Sequence, residues 1–265
     1  MPATLNGQAE PCPRDRWAGR QRRPCLFAAA GRLEYRRALA LQRLMVEARH
    51  LKLVERDVLL ILEHPAVFTL GRRGGRENLA VPESFLADRG IAVVHVERGG
   101  DITYHGPGQI VGYPIIDLRG TPLSVTDYVS ALEEIMIRTA ADFGVVAGRD
   151  PRNRGVWVGN RKLGSIGISI RRGISFHGFA FNVNLDLEPF SWINPCGLKG
   201  VGMTSLVKER GVPVAMAAAR TVIIGHIRNV LKLNLISSTV EDMETLLKNG
   251  PCSRIHQNQS YDTCT

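Results

Sequence analysis

The 265-residue sequence lacks the long apolar runs of membrane proteins. Its most apolar window, residues 212–233, is interrupted by Arg220, His226, Arg228 and Lys232. Because a membrane-spanning helix needs about 20 predominantly apolar residues, we expect no membrane association. Hydrophobic residues make up 44% of the chain and charged residues 22%, which excludes a disordered or collagen-like chain and predicts a globular protein.

Cysteine is scarce and has no metal-binding pattern. Four of the five cysteines lie near the two ends of the sequence, at Cys12, Cys25, Cys252 and Cys264, and only Cys196 lies in its patterned part. There is no CxxC pair and no Cys/His quartet, so we expect neither a disulfide scaffold nor a metal site. A hydrophobic signal peptide is also absent, which predicts a reducing compartment: the cytoplasm, or alternatively the mitochondrial matrix.

The net charge of +9 is unevenly distributed along the chain. Residues 1–50 contain ten Lys and Arg against four Asp and Glu, whereas the other residues contain 24 against 21. Proteins that bind nucleic acid usually spread their cations over a folded face, but here the patterned part of the chain is nearly balanced. We therefore expect no nucleic-acid partner.

The first 24 residues, at the basic N-terminal end of the chain, show no apolar periodicity. We expect residues 1–27 to form a disordered extension, with residues 1–24 dispensable and a mitochondrial presequence as the alternative. The presequence is disfavoured by Glu10, by Asp15 and by the lack of serine in this end. Residues 28–237 are predicted to form one catalytic domain, and residues 238–265 a C-terminal tail outside it.

The patterned part predicts an α/β (α+β) domain built on a mixed sheet flanked by helices. Helical spacing is clearest at residues 31–50, 124–143 and 214–233, and Ser124 or Thr126 can cap the second helix. Short apolar or alternating runs predict strands at residues 58–62, 67–70, 92–96, 110–118, 156–158, 163–170 and 176–185. Strands interleaved with a few long helices are typical of this fold class.

The first segment with chemical potential is the glycine-rich run RGGDITYHGPGQ at residues 98–109. Glycines between two strands let the backbone approach a ligand closely and offer free N–H donors. The alternative is an ordinary turn with positive φ angles. The run is neither a phosphate-binding loop nor a dinucleotide fingerprint, because it lacks a Gly-Lys-Ser/Thr sequence and a following helix.

Two further segments offer reactive side chains. Lys162 follows a Gly-Asn turn and is either a solvated charge or a functional amine. Cys196, within the run NPCG, is either a small buried hydrophobe or a nucleophile, and its position in a loop favours the nucleophile. His105 or His177 could serve as its base in a Cys-His arrangement.

Taken together, these motifs resemble the octanoyltransferase family of lipoate biosynthesis. The matching runs are residues 98–109, KLGSIGISIRRGISFHGFAFNVNLDL at 162–187 and INPCGLKGVGMTSL at 193–206, with an HPAVFTLGR-like stretch at 64–72. The resemblance extends from about residue 31 to residue 235, in the order and spacing of the family. Such enzymes transfer an octanoyl group from acyl carrier protein to a lysine of a lipoyl domain.

The resemblance implies roles for individual residues. Cys196 is implied to be the acyl-accepting nucleophile and Lys162 its partner. The residues implied to line the acyl pocket are Arg98, Gly99, Gly100, Asp101, Ile102, Thr103, Tyr104, His105, Ser165, Ile166, Gly167, Gly178, Phe179 and Ala180. The implied fold is the one shared by lipoate and biotin protein ligases.

The resemblance also implies the partners. The donor is octanoyl-acyl carrier protein, and the acceptors are lipoyl domains of 2-oxoacid dehydrogenase complexes and the glycine cleavage H protein. No cofactor is implied. One alternative is an ATP-dependent lipoate–protein ligase on the same fold, which the transferase-like form of residues 103–107 disfavours. The other alternative is a non-catalytic binding module.

The chemistry expected of Cys196 and Lys162 has two versions. A free thiol with a pKa of ~8.5 is mostly protonated at neutral pH, and a neighbouring ammonium would favour the reactive thiolate. An amine that has lost its proton could instead act as a base, first for the thiol and then for the attacking lysine of the acceptor. The sequence leaves both versions open.

Overall fold

The structure is a computed structural model that describes residues 19–151, 153–194 and 202–249. Within these residues the strands are β1 (Arg23–Arg32), β2 (Asp57–Glu63), β3 (Val67–Leu70), β4 (Ala92–His95), β5 (Ile102–His105), β6 (Gln109–Ile115), β7 (Gly148–Asp150), β8 (Asn153–Val158), β9 (Arg161–Arg171), β10 (Ile174–Asn182), β11 (Gly202–Met203) and β12 (Leu233–Ser237). The helices are α1 (Tyr35–His50), α2 (Glu83–Ala87), α3 (Val125–Asp142), α4 (Leu206–Arg210), α5 (Met216–Val230) and α6 (Val240–Asn249). No helix in this part of the chain is long and apolar enough to cross a membrane.

Most strands form one mixed sheet, which confirms the predicted fold class. Its order is β12-β1-β2-β6-β10-β9-β8-β7, and β11 adds to β9. β1 runs parallel to both β12 and β2, whereas β6, β10, β9 and β8 follow one another in antiparallel pairs. A second, smaller sheet has the order β4-β3-β5.

Helices cover both faces of the large sheet. Side chains alternate along β2, so Leu59 and Ile61 join a core cluster with α3 and α5, whereas Val58 and Leu60 join a cluster with α1 and α6. Burial on both faces explains why this strand is a continuous apolar run rather than an alternating one. The two clusters lie on opposite sides of one central sheet.

Helix α3 supports the strand that carries Lys162. The Ser124 hydroxyl accepts from the N–H of Asp127 and the Asp127 carboxylate accepts from the N–H of Ser124, which fixes the start of the helix as a capping box. Its predicted buried face is observed at Tyr128, Leu132, Ile135, Met136 and Thr139. The helix packs on β8 and β9.

The structure corrects both predicted boundaries of the domain. Residues 23–27, expected in a disordered extension, form half of β1, and Cys25 pairs there with Asp57 of β2 and Leu235 of β12. The segment was missed because Arg23 and Pro24 at its start are not typical of a strand. Residues 240–249, expected in a tail, form α6, which buries Val240 and Met243 in the cluster with α1.

Removal of residues 1–18 and removal of residues 1–24 should therefore have different effects on stability. Arg23 pairs with Asp57 at 2.9 Å, and the Asp57 side chain is only 2% exposed. The longer deletion removes the first two residues of β1, including Arg23. The buried Asp57 carboxylate is then less well compensated, which should lower the free energy of unfolding by about 1–3 kcal/mol. Urea unfolding should show a lowered midpoint only for the longer deletion, and equal midpoints would contradict this account.

Candidate active site

A cavity of about 520 Å³ is lined by both sheets and by the first turns of α1 and α3. Two of the three predicted segments, the glycine-rich run and the segment that contains Lys162, meet on its walls. The predicted residues that line it are Lys162, Arg98, Gly99, Gly100, Asp101, Ile102, Thr103, His105, Ser165, Ile166, Gly167, Gly178, Phe179 and Ala180. Residues more than 60 positions apart in the sequence therefore share one concave surface, as a small-molecule site requires.

Tyr104 is a predicted pocket residue that the structure places elsewhere. Its ring packs between Phe68, at 5.1 Å between centroids, and Phe190, at 5.7 Å, in the cluster behind the small sheet. Successive side chains of a strand point to opposite faces, so Thr103 and His105 of β5 line the cavity while Tyr104 between them does not.

The cavity has an exposed mouth and a buried inner end. Arg72, Arg73 and Arg154 on its lining are exposed to solvent, whereas Tyr35, Tyr113, His105 and His177 are buried. Lys162 is half-buried, and Trp157 beside it is buried. The gradient of exposure places Lys162 toward the mouth and the two histidines toward the inner end.

Glycines let the walls of the cavity come together. Gly167 of β9 pairs with Gly178 of β10. A Cβ atom on Gly167 would lie 3.0 Å from the Cδ of Arg98, and one on Gly178 would lie 2.1 Å from the backbone oxygen of Gly112. The glycine-rich loop is tied to the same place because the N–H of Gly99 donates to the carbonyl of Ile168 at 2.9 Å.

Lys162 is held by its neighbours on two strands, β8 and β11. Its Nζ lies 5.1 Å from the centroid of the Trp157 ring on β8, within range of a cation–π interaction. Gly155 makes room for it, since a Cβ there would approach the Cε of Lys162 to 2.6 Å. On its other side, Met203 of β11 pairs with Lys162 along the backbone, and the N–H of Thr204 donates to the Lys162 carbonyl at 3.0 Å.

Cys196 lies outside the described residues, but the chain on both sides of it is anchored. The N–H of Asn194 donates to the carbonyl of Asn78 at 2.8 Å, and Ile193 forms a bridge with Leu79. The chain is described again from Gly202, which pairs with Arg161 next to Lys162.

A chain of hydrogen bonds runs from the inner wall of the cavity toward Lys162. Thr69 accepts from the Arg98 guanidinium at 2.8 Å, and its hydroxyl lies 3.5 Å from His105 Nε2. His105 Nδ1 donates to the side-chain oxygen of Gln109 at 2.7 Å. Gln109 donates to Asn182 at 2.9 Å. Asn182 in turn donates to the carbonyl of Thr204 at 2.9 Å, whose own N–H binds the Lys162 carbonyl. The glycine-rich loop, the inner histidine and the lysine strand are thereby fixed relative to one another.

His105 and its neighbour His64 are neutral over the physiological range. Burial lowers the pKa of His64 from its ordinary value of 6.5 to about 4, while the ring keeps bonds to the Leu33 carbonyl and the Tyr113 hydroxyl, each at 2.7 Å. Burial, together with the neighbouring His64, lowers the pKa of His105 to about 3. Such weakly basic groups are poorly matched to general base catalysis near neutral pH.

His177, the other alternative base, also lies at the inner end. Its backbone adopts a left-handed φ of 56°, and its N–H donates to the Gln42 side chain at 2.8 Å. Burial lowers its pKa, and its Nε2 lies 3.8 Å from the Glu97 carboxylate. Its position at the buried end, away from the mouth, favours a role in the wall of the cavity.

Because His64 and His105 are buried as neutral rings, acid should destabilise the fold. The unfolded chain binds protons near pH 6.5 but the folded chain only near pH 4 and 3, so stability is complete above pH 6.5 and falls as the pH drops below it. Urea midpoints between pH 7.5 and 4.5 should fall by an amount worth a few kcal/mol. His64→Gln should flatten this slope, whereas the exposed His95→Asn control should not, and equal slopes in all three proteins would contradict the prediction.

Several residues of the site were not predicted from the sequence. They are Tyr35, Arg72, Arg73, Asn153, Arg154, Trp157 and Met203, all on the cavity lining, and Gly155 behind Lys162. Gly155 offered a signal, a glycine just before an apolar strand run, but nothing in the sequence shows which side chain needs the space. In the part of the chain that the structure describes, no three His, Cys, Asp or Glu side chains form a group suited to a metal ion.

Comparison with known proteins agrees with this geometry. Residues 34–228 match the lipoyl protein ligase A/B catalytic domain. An octanoyltransferase of Desulfotalea psychrophila is 57% identical over 183 residues, 68% of this chain and 82% of that protein. One from Syntrophobacter fumaroxidans is 46% identical over 217 residues, 82% of this chain and 95% of that protein. The solved bipartite lipoate protein ligase of Thermoplasma acidophilum has a TM-score of 0.66 and 17% identity, covering 86% of this chain and 91% of that one.

The fold is thus that of lipoate protein ligases, and the chain belongs to the lipoyl protein ligase A/B catalytic domain family. Within that family the extensive identity to two octanoyltransferases is more specific. It makes the chain an octanoyltransferase-type member, and hence an acyltransferase, which confirms the resemblance seen in the motifs.

Proposed function

We propose that the chain transfers an octanoyl group from octanoyl-acyl carrier protein to a lysine amine of lipoyl domains, through a thioester on Cys196. The observation that carries the proposal is the cavity itself. Its surface is mostly apolar, it is buried at the inner end, and Lys162 lies toward its mouth on a strand paired with Met203, seven residues after Cys196.

In the first half-reaction the Cys196 thiolate attacks the carbonyl carbon of the octanoyl thioester. The bond to the carrier sulfur breaks and a thioester on Cys196 forms. The carrier sulfur leaves as a thiolate and takes up the proton that the Cys196 thiol lost when it ionised. One thioester replaces another, so the exchange needs no ATP. The anchoring of Asn194 to Asn78 and of Met203 beside Lys162 supports a nucleophile located near this mouth.

In the second half-reaction a neutral lysine amine of the lipoyl domain attacks the Cys196 thioester. A C–N bond forms, the C–S bond breaks, and the amine loses a proton. A free lysine has a pKa near ~10.4, so a base that receives this proton accelerates the step. Lys162 is the amine held toward the mouth of the cavity, and we assign it this role, whereas His105 and His177 lie at the buried end.

Lipoyl domains are the acceptors that fit this assignment. The Thermoplasma acidophilum ligase, which has the same fold, was solved in a study together with its E2 lipoyl domain. The lipoyl domains of 2-oxoacid dehydrogenase complexes and the glycine cleavage H protein are the acceptors to test.

The octanoyl chain is proposed to lie along Ser165, Ile166 and Ala180 toward the inner end. Ala180 is buried, pairs with Ser165 and Val111, and lines the cavity. Ala180→Leu should shorten the preferred acyl chain, because each excluded methylene loses ~0.8 kcal/mol of burial. That loss corresponds to about a fourfold change in specificity per carbon. Ala180→Gly should shift the preference the other way. Competition between C6, C8 and C10 donors measures it, and unchanged profiles in both variants would show that Ala180 does not contact the chain.

Intact mass spectrometry tests the proposed function directly. After mixing with octanoyl-carrier protein, the enzyme should carry one octanoyl group that maps to the peptide containing Cys196. Addition of a lipoyl domain should then remove it and octanoylate that domain. Octanoylation that occurs only with free octanoate and ATP would instead establish a ligase, and transfer without an adduct would exclude the thioester route.

A further inference from the structure

Two arginines at the mouth of the cavity take no part in the reaction steps proposed above. Arg72 and Arg73 follow β3 in a tight turn against the glycine-rich loop. The N–H of Arg72 donates to the carbonyl of Arg98 at 3.0 Å, and that of Arg73 donates to the carbonyl of Gly100 at 3.1 Å. A Cβ on Gly71 would lie 2.5 Å from the Gly100 oxygen, so the turn is closely packed. The backbone therefore presents both arginines from a fixed position.

The side chains of Arg72 and Arg73 are exposed at the mouth and have no charged partner among the described residues. Both line the cavity and are exposed, and neither lies within 4.0 Å of a carboxylate of the described residues. Arg76, three residues further on, shows the usual arrangement, since it pairs with Glu83 at 2.8 Å and does not line the cavity.

The charge of the mouth is strongly unbalanced. Besides these two arginines, Arg154 and Lys162 contribute cations, although Arg154 is 3.6 Å from the Glu133 carboxylate. The carboxylate on the lining is Asp101, which already accepts from the Asn78 amide at 2.7 Å. An apolar interior with a cationic mouth suits a ligand that has an apolar tail and an anion attached some distance from it.

We infer that Arg72 and Arg73 bind the phosphate of the pantetheine arm that carries the acyl thioester. This inference rests on the proposed function, because the donor must be a thioester whose acyl chain enters the cavity. With the chain inside and the thioester near Lys162, the remainder of the arm leaves through the mouth, where the two guanidinium groups lie. Planar guanidinium groups bind phosphate oxygens through paired, charge-assisted hydrogen bonds.

Two donors that differ only in the phosphate test the inference. Octanoyl-4′-phosphopantetheine should be a better donor than octanoyl-pantetheine for the wild-type protein, by roughly ten- to hundredfold in kcat/KM for adduct formation. In an Arg72→Ala/Arg73→Ala double variant this ratio should fall toward one. The matched control is Arg76→Ala, which removes an exposed arginine of the same segment and should keep the wild-type ratio.

The outcomes separate this inference from the proposed function. Equal use of the two donors by the wild-type protein, or a ratio that survives the double substitution, overturns the phosphate site. If the double variant loses activity only with the intact carrier protein and keeps the wild-type ratio for the two small donors, the arginines contact the carrier surface, which also overturns it. Failure of every thioester to form an adduct would contradict the proposed function instead.

Discussion

Cys196→Ala should abolish both the octanoyl adduct and octanoyl transfer, with a loss of at least about 10³-fold in rate. The reason is that the proposed route has no step that bypasses the thioester. Adduct formation is measured by intact mass, and transfer by the mass of the lipoyl domain.

The structure supplies a matched control for this prediction. Cys25 is fully buried in β1, and burial raises the pKa of its thiol well above the ordinary value. It can neither reach a donor nor ionise readily, so it cannot replace Cys196. Cys25→Ala should therefore keep the adduct and the activity, with some loss of stability from the vacated core volume. An adduct on the Cys196→Ala protein, or its loss in Cys25→Ala, would refute the assignment of the nucleophile.

Replacement of Lys162 should have the second largest effect. Lys162→Ala removes the amine and should slow transfer by about 10²- to 10⁴-fold, the usual contribution of a positioned acid–base group. Lys162→Arg keeps the charge, but a guanidinium stays protonated and cannot accept a proton. If the lysine acts as a base, both variants should fail in the second half-reaction.

Separate measurement of the two half-reactions distinguishes the two roles left open by the sequence. If Lys162 only stabilises the thiolate, Lys162→Arg should form the adduct almost as fast as the wild-type protein and then complete transfer. We expect instead that the adduct forms on Lys162→Arg and persists, because the second half-reaction fails. The exposed Lys208→Ala serves as the control for loss of a positive charge, and near-normal transfer by Lys162→Ala would remove this residue from the mechanism.

The sequence predicted most of the fold because its strands and helices carry clear periodicity. β2 was recognised as an uninterrupted apolar run, and α3 by its cap at Ser124 and its apolar face. The errors fall where burial leaves little trace in composition. The Arg-Pro start of β1 resembles a loop as much as a strand, and the polar surface of α6 obscures the few residues that it buries.

The site was predicted from contiguous motifs, but those motifs do not show which face of a strand each side chain lies on. The run containing Thr103, Tyr104 and His105 looked uniform, but strand pleating sends Tyr104 away from the cavity. Likewise, Arg72 resembles any surface arginine until the tertiary structure places its turn beside the glycine-rich loop. Local sequence does not encode which distant segments meet, so the mouth of the cavity could only be recognised in three dimensions.

The parallel pairing of β1 with β12 has a consequence for how the chain is made. Arg23 and Leu233 lie side by side but about 210 residues apart in the sequence. At a translation rate of about 5–20 residues per second, roughly 10–40 s separate the synthesis of the two strands. During that interval one edge of β1 has no partner, and such an edge is prone to pair with other chains. Slow translation or premature termination before residue 233 should therefore favour aggregation, and a chaperone that shields this strand should raise the yield of folded protein.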